Sequence, residues 1–384
     1  MEEALLGGLS PQVFLRRHWQ KRPLLVRRAL PGFRGVIGKR ALFALAARAE
    51  VESRLVERVK DRTRRGEDRA GRGGDRWAVT HGPLKISSLR KAGARNWTLL
   101  VNGVNCYSEA AEALLRRFAF IPQARIDDVM VSYAAPGGGV GPHFDSYDVF
   151  LVQGEGRRVW RLARPRRFAL APQAPLRLIA GFRAEEELLL EPGDLLYLPP
   201  GWGHDGIALD PCFTCSVGFR APRGAELAAS FLDYLHERGL PDAAYRDPGL
   251  RPAARPAQIG REMVDFAQHQ LARIRWNRGD VEDFLGRFLS TPKANIVFSP
   301  SIRYFPKKIE NKTVILHPKT QMLYLGARFF INGEVLVPRP AQRRALAALA
   351  DRRHAAGRTL ARAGLGRLIL EWHRCGFLSL EPTT

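Results

Sequence analysis

Three residues in this chain have the types and spacing to hold a metal: His143, Asp145 and His204. The first two stand in Pro136-Gly-Gly-Gly-Val-Gly-Pro-His143-Phe-Asp145-Ser-Tyr147-Asp148. Two positions apart on a strand, their side chains share a face. His204 ends Gly193-Asp-Leu-Leu-Tyr-Leu-Pro199-Pro-Gly201-Trp-Gly-His204, which reads as a strand leading into a tight turn. Two imidazoles and one carboxylate make a facial triad. Such a triad leaves metal positions open, as a non-haem Fe(II) oxygenase needs for its cosubstrate and O₂. An H-x-D pair alone also marks ordinary strand-end polar residues. Its combination with the second stretch carries the metal assignment.

The elements that must position these residues are β-rich. Strands are expected at Trp97 to Val101, Val129 to Ala134, Asp148 to Gln153, Arg158 to Leu162, Glu187 to Leu190, Asp194 to Leu198 and Thr214 to Arg220. Glycine and proline separate them, and Gly154-Glu-Gly156 reads as a hairpin turn. Many short strands around a metal motif imply a double-stranded β-helix, a jelly-roll barrel. Before it, Ser10 and Pro11 are placed to start a helix. Pro23 ends that helix and Leu24 to Val26 begin a strand, and a second helix is expected at Arg40 to Glu50. Arg58 to Arg76 holds eight Lys/Arg, four acids and no apolar cluster, and reads as a flexible insertion.

After Ala221 the period turns helical, with apolar stripes at Leu227 to Leu235, Met263 to Ile274 and Phe284 to Leu289. Short strands return after Ser299, with Asn332-Gly333 as a hairpin signal, then helices near 340–351 and 360–374. The expected architecture is α+β. A catalytic barrel at 1–221 is followed by a helical domain at 222–299 that packs on a second copy as a homodimer, and by a winged-helix-like domain at 300–384.

The formal charge is +23, with 51 Arg against 10 Lys. That excess fits a polyanionic neighbour such as RNA, and equally a coding bias towards arginine. Apolar runs are too short for a membrane span. The N-terminus lacks a basic stretch followed by an apolar core, so cytoplasmic location is expected. Cys212 and Cys215 form a C-x2-C inside a strand, where they face opposite sides. No second such pair exists to complete a zinc site.

Taken together, the H-x-D…H triad in a cupin barrel resembles the JmjC-type 2-oxoglutarate oxygenases, and among them the bacterial ribosomal oxygenases. The stretches that carry the resemblance are Phe14 to Pro23, Arg125 to Met130, Pro136 to Phe150, Gln153 to Arg161, Glu191 to His204 and Ser216 to Pro222. The Arg58 to Arg76 segment and the basic C-terminal third depart from it. The resemblance implies Fe(II), 2-oxoglutarate and O₂, and hydroxylation of an arginine in a large-subunit ribosomal protein. It implies that His143, Asp145 and His204 bind the iron and that Arg158 receives the distal carboxylate of 2-oxoglutarate through two hydrogen bonds. Arg157 and Arg161 fall on the opposite face by parity. By the same resemblance, Asp128 pairs with the substrate guanidinium and Tyr147 stacks on its plane. Asp127 and Asp148 are further anions near the metal strands. Two other readings fit the same residues: a metal-dependent cupin acting on a small molecule, and a non-catalytic ribosome- or RNA-binding cupin.

Overall fold

A computed structural model describes residues 5–59, 76–172, 175–300 and 308–382. The chain forms two compact units, Met1–Ala221 with Lys293–Ser299, and Pro222–Pro292 with Pro300–Thr384.

The first unit contains eleven strands among its described residues. They are β1 (Leu24–Val26), β2 (Ser53–Val59), β3 (Arg76–His81), β4 (Trp97–Val101), β5 (Ile126–Ala134), β6 (Val149–Gln153), β7 (Arg158–Ala163), β8 (Glu186–Leu190), β9 (Leu195–Leu198), β10 (Gly203–Ala208) and β11 (Cys212–Phe219). Eight make one sheet in the order β1-β9-β6-β11-β5-β4-β2-β3, and β10-β7-β8 make another. Every pairing is antiparallel. This is the expected jelly roll.

All five residues of β6 are buried because the strand is covered on both faces. Val149 and Leu151 meet Trp160, Leu162 and Leu190 of the smaller sheet in the barrel interior. Phe150 and Val152 point the other way, into a cluster with Phe14, Phe118, Tyr197 and Phe219. Burying each such side chain contributes about 1.5–3 kcal/mol. Cys212 and Cys215 fall in separate core clusters, as their odd spacing requires. None of the four cysteines is in a disulfide.

The helix at Pro11–Arg17 starts as expected, with the Ser10 hydroxyl accepting from Val13 N–H. Strands β2 and β3 are additions to the expected list. Arg54, Glu57 and Arg58 interrupt the apolar pattern of β2, and so conceal a strand in which Ser53, Leu55 and Val56 are buried. The basic insertion follows β2, and its residues 60–75 lie outside the described residues. Arg58 and Arg76, its expected ends, belong to the paired strands that flank it.

In the second unit, helices Gly224–Glu237 and Arg278–Ser290 share a core of Tyr234, Leu235 and Phe284. Helix Arg261–Ala272 lies between them in sequence and has no buried residue. Strands Lys312–Leu316, Met322–Leu325, Arg328–Ile331 and Glu334–Leu336 precede helices Pro340–Arg352, Gly357–Arg362 and Gly366–Arg374. Among the described residues, no helix is long and apolar enough to cross a membrane.

Candidate metal and cosubstrate site

His204 is the second residue of β10 and follows the turn Pro199-Pro-Gly201, where Gly201 adopts a positive φ of 80°. His143 was expected on a regular strand with Asp145, but it forms an isolated antiparallel bridge to His204. The two backbones exchange both hydrogen bonds, at 2.9 and 2.8 Å. Asp145 follows in irregular backbone, tied by its carbonyl to Gly201 N–H at 2.8 Å. Glycines and prolines on both sides prevent a longer ladder. The bridge brings the two imidazoles together, with ring centroids 4.2 Å apart and planes tilted by 57°.

The ligand atoms of His143, Asp145 and His204 lie within 4.8 Å of one another. His143 Nδ1 is 2.9 Å from Gly141 O, and His204 Nδ1 is 2.9 Å from Trp202 O. With Nδ1–H donating to a carbonyl, each ring keeps a bare Nε2 for a metal. Burial, reinforced by His143, lowers the His204 pKa to about 4, so this imidazole is neutral at ordinary pH. A neutral imidazole is the form that ligates.

Arg158 begins β7, and β7 pairs with β10 and β8 rather than with the segment carrying His143 and Asp145. His204 stands opposite Leu162 and Ala208 opposite Arg158, so Arg158, Trp160, Leu162 and His204 share the interior face. Gly206 makes this arrangement fit: a Cβ there would stand 2.7 Å from the Trp160 ring. Arg158 is 4% exposed, and its Nε and Nη2 have no hydrogen-bond acceptor among the described residues. Its guanidinium lies 5.7 Å from the Trp160 ring, whose own Nε1 also lacks an acceptor. Trp160 is absent from the expected site residues. Its position, two residues after Arg158 and so on the same face, was the available signal. Arg157 and Arg161 face outward, to Asp210 at 2.7 Å and Glu187 at 2.9 Å.

Asp127 and Asp128 sit in β5 where its pairing with β11 slips: Val217 faces Val129, but Phe219 faces Ile126. Two residues of β5 thus oppose Gly218 alone, and a bulge of this kind re-aims side chains. Asp128 accepts from Gly103 N–H at 3.1 Å and from Lys293 Nζ at 2.9 Å. Asp127 contacts the same Lys293 at 3.0 Å and Arg220 at 3.5 Å. Burial first, and Asp127 beside it, hold the Asp128 carboxyl above the usual range despite the pull of Lys293. Tyr147 is 40% exposed. Partial desolvation raises its hydroxyl pKa, with help from the nearby Asp145 and Asp128 carboxylates.

Asp148 is not an open anion. It is fully buried, and its carboxylate is taken by Tyr197 Oη at 2.6 Å, Gln20 Nε2 at 3.0 Å and Arg125 at 3.4 Å. It ties the first helix region to the barrel.

Residues 113–227 match the family model for a JmjC domain, and residues 273–378 match a ROXA-like winged helix. The chain is 36% identical over 328 residues to the ribosomal protein uL16 3-hydroxylase of Escherichia coli strain K12, covering 84% of each chain. It matches the X-ray structure of E. coli YcfD with a TM-score of 0.79 and 34% identity, over 97% of this chain and 98% of that one. A structure of E. coli YcfD, described as a ribosomal oxygenase in complex with cobalt and 2-oxoglutarate, matches with a TM-score of 0.77 and 34% identity over the same shares.

Proposed function

Since the chain belongs to the JmjC-domain ribosomal oxygenases, we propose that it is an Fe(II)- and 2-oxoglutarate-dependent hydroxylase of an arginine in a large-subunit ribosomal protein. Its likeness to the E. coli enzyme points to uL16 as that protein. The observation that carries this reading is an open three-ligand group in the same barrel as a buried arginine whose Nε and Nη2 have no acceptor among the described residues. An unpaired buried guanidinium costs the fold free energy, and a carboxylate ligand satisfies it.

The donor set fits a divalent iron. His143 and His204 would hold it through Nε2, and Asp145 through its carboxylate. The metal, with 2-oxoglutarate and O₂, supplies the oxidising chemistry that puts one oxygen atom into a C–H bond and leaves succinate and CO₂. Arg158 receives the distal carboxylate of the cosubstrate through its two free N–H directions, and Trp160 Nε1 offers a third donor beside it. Asp128 pairs with the substrate guanidinium, and Tyr147 lies against its plane.

The division into 1–221, 222–299 and 300–384 belongs to the same reading, except that Lys293–Ser299 packs with the barrel unit, and the helical part is the dimer contact. In its support, Met263, Val264 and Leu271 of helix Arg261–Ala272 are each about half exposed or more. The basic surface serves contact with ribosomal RNA, and the lack of disulfides among the four cysteines suits the cytoplasm. Mass spectrometry of ribosomal proteins from cells with and without this chain tests the reading. One large-subunit protein should carry an additional oxygen on an arginine only when the chain is present. An identical set of masses in both cells rejects the assignment.

A further inference from the structure

Lys293 comes from the segment Lys293–Ser299, which packs with the barrel unit although it follows the helices in sequence. Asn295 fixes that segment by donating to Glu50 O at 3.0 Å. The Lys293 ammonium reaches both Asp128 and Asp127, at 2.9 and 3.0 Å. It therefore stands where a substrate guanidinium would have to bind. We infer that Lys293 is a resident stand-in for the substrate cation, displaced on binding, and that this exchange makes the cleft select arginine over lysine. The inference rests on the role proposed for Asp128.

The charges explain why exchange is required. Asp127 and Asp128 face Lys293 and Arg220, two anions against two cations. A guanidinium added to this balanced group would meet a like charge in a partly dry cleft. Lys293 can leave: its side chain is 41% exposed, whereas that of Asp128 is 15% exposed. With Asn295 holding the backbone, only the lysine side chain has to swing into water.

Exchange also supplies a filter. A lysine substrate would replace one ammonium with another and gain nothing in kind. An arginine brings several N–H donors on a rigid plane and can engage both carboxylates at once. The β5 bulge, by turning two successive acids to one side, provides the matching pair of acceptors.

The test uses full-chain protein with Co(II) and 2-oxoglutarate under anaerobic conditions. Two synthetic uL16 peptides serve as probes, one with its arginine and one with lysine in that place, and binding is read by calorimetry. Lys293→Met should tighten the arginine peptide by about 3- to 10-fold, the size of a partly exposed ion pair. It should tighten the lysine peptide by at least as much. Lys293→Arg should move the other way and weaken the arginine peptide, because the resident group is now the better competitor. A lysine that merely holds the structure predicts no tightening in the first variant and no weakening in the second. Either of those results, in protein with an unchanged melting temperature, overturns the inference. If Lys293→Met does not fold, Lys293→Arg decides alone, since it keeps the charge. Asp128→Asn is run beside them. If it weakens the arginine peptide and the Lys293 variants behave as ordinary structural changes, only the filter fails. If it leaves peptide affinity intact, the role of Asp128 fails and the filter falls with it.

Discussion

Arg158 is a buried charge and Asp128 a partly buried one, both in the first unit, and their partners differ. Arg158 has no acceptor for Nε and Nη2 among the described residues. Asp128 already holds the Gly103 N–H and the Lys293 ammonium. At Arg158 the cost of the unsatisfied donors falls on the fold, and a carboxylate ligand would relieve it. At Asp128 the fold is relieved in advance, and the cost falls on whichever cation must displace Lys293. The difference teaches where affinity should be strong and where it should be selective. A preorganised, unpaired site binds with little exchange, whereas a pre-paired site discriminates between cations.

The largest break in this comparison removes the centre that both sites serve. His143→Ala and His204→Ala should fold and lose metal affinity by more than about 100-fold, since even losing an outer-shell partner of a ligand costs 10- to 100-fold. Succinate release by either purified variant at the normal rate would remove the metal assignment.

Arg158→Ala comes next. Removing one partner of a buried charge pair costs roughly 2–5 kcal/mol, about 30-fold or more in affinity for 2-oxoglutarate. Peptide affinity should stay nearly intact. The same comparison predicts that 2-oxoglutarate raises the melting temperature of the wild type and fails to do so in this variant. Unchanged cosubstrate affinity would mean that the free donors of Arg158 serve another ligand.

Asp128→Asn should have a smaller effect, about tenfold on the arginine peptide, because the substrate exchanges with Lys293 rather than entering an unpaired site. Cosubstrate affinity should hold. Equal weakening of both ligands would show that the two sites are not separate.

The smallest effect is expected from deleting Arg62 to Gly74, which contains no apolar residue beyond Ala70. The flanking strands β2 and β3 pair through Arg58 and Trp77 and hold the hairpin without it. A shorter closed loop costs slightly less chain entropy, so cooperative unfolding should persist at an unchanged or slightly higher midpoint. Loss of cooperativity would show that the segment contributes to the core.

Much of the cosubstrate end was legible in the linear text. His143, Asp145 and His204 are read from spacing within short stretches, where strand geometry acts over the same few residues, whereas the role of Arg158 came from the family resemblance and only its face from parity. Asp128 was picked out as well, but the bulge that turns both it and Asp127 towards one cation depends on how β5 registers against β11. Strand β2 was hidden because Arg54, Glu57 and Arg58 break the alternation around its buried Leu55 and Val56.

By itself, the sequence determined the candidate metal group, the jelly-roll class and the parity that turns Arg158 inward. Each follows from local residue types whose period or turn chemistry admits few conformations. Only the tertiary structure decided which charges are free. Asp148 looked like an available anion until Gln20, Tyr197 and Arg125 converged on it. Asp128 looked unoccupied until Lys293, 165 positions later in the chain, reached it. Pairing is set by distance in space and by dielectric surroundings. Neither is encoded in the spacing of one strand, so the partners of a buried charge emerge only when remote segments pack together.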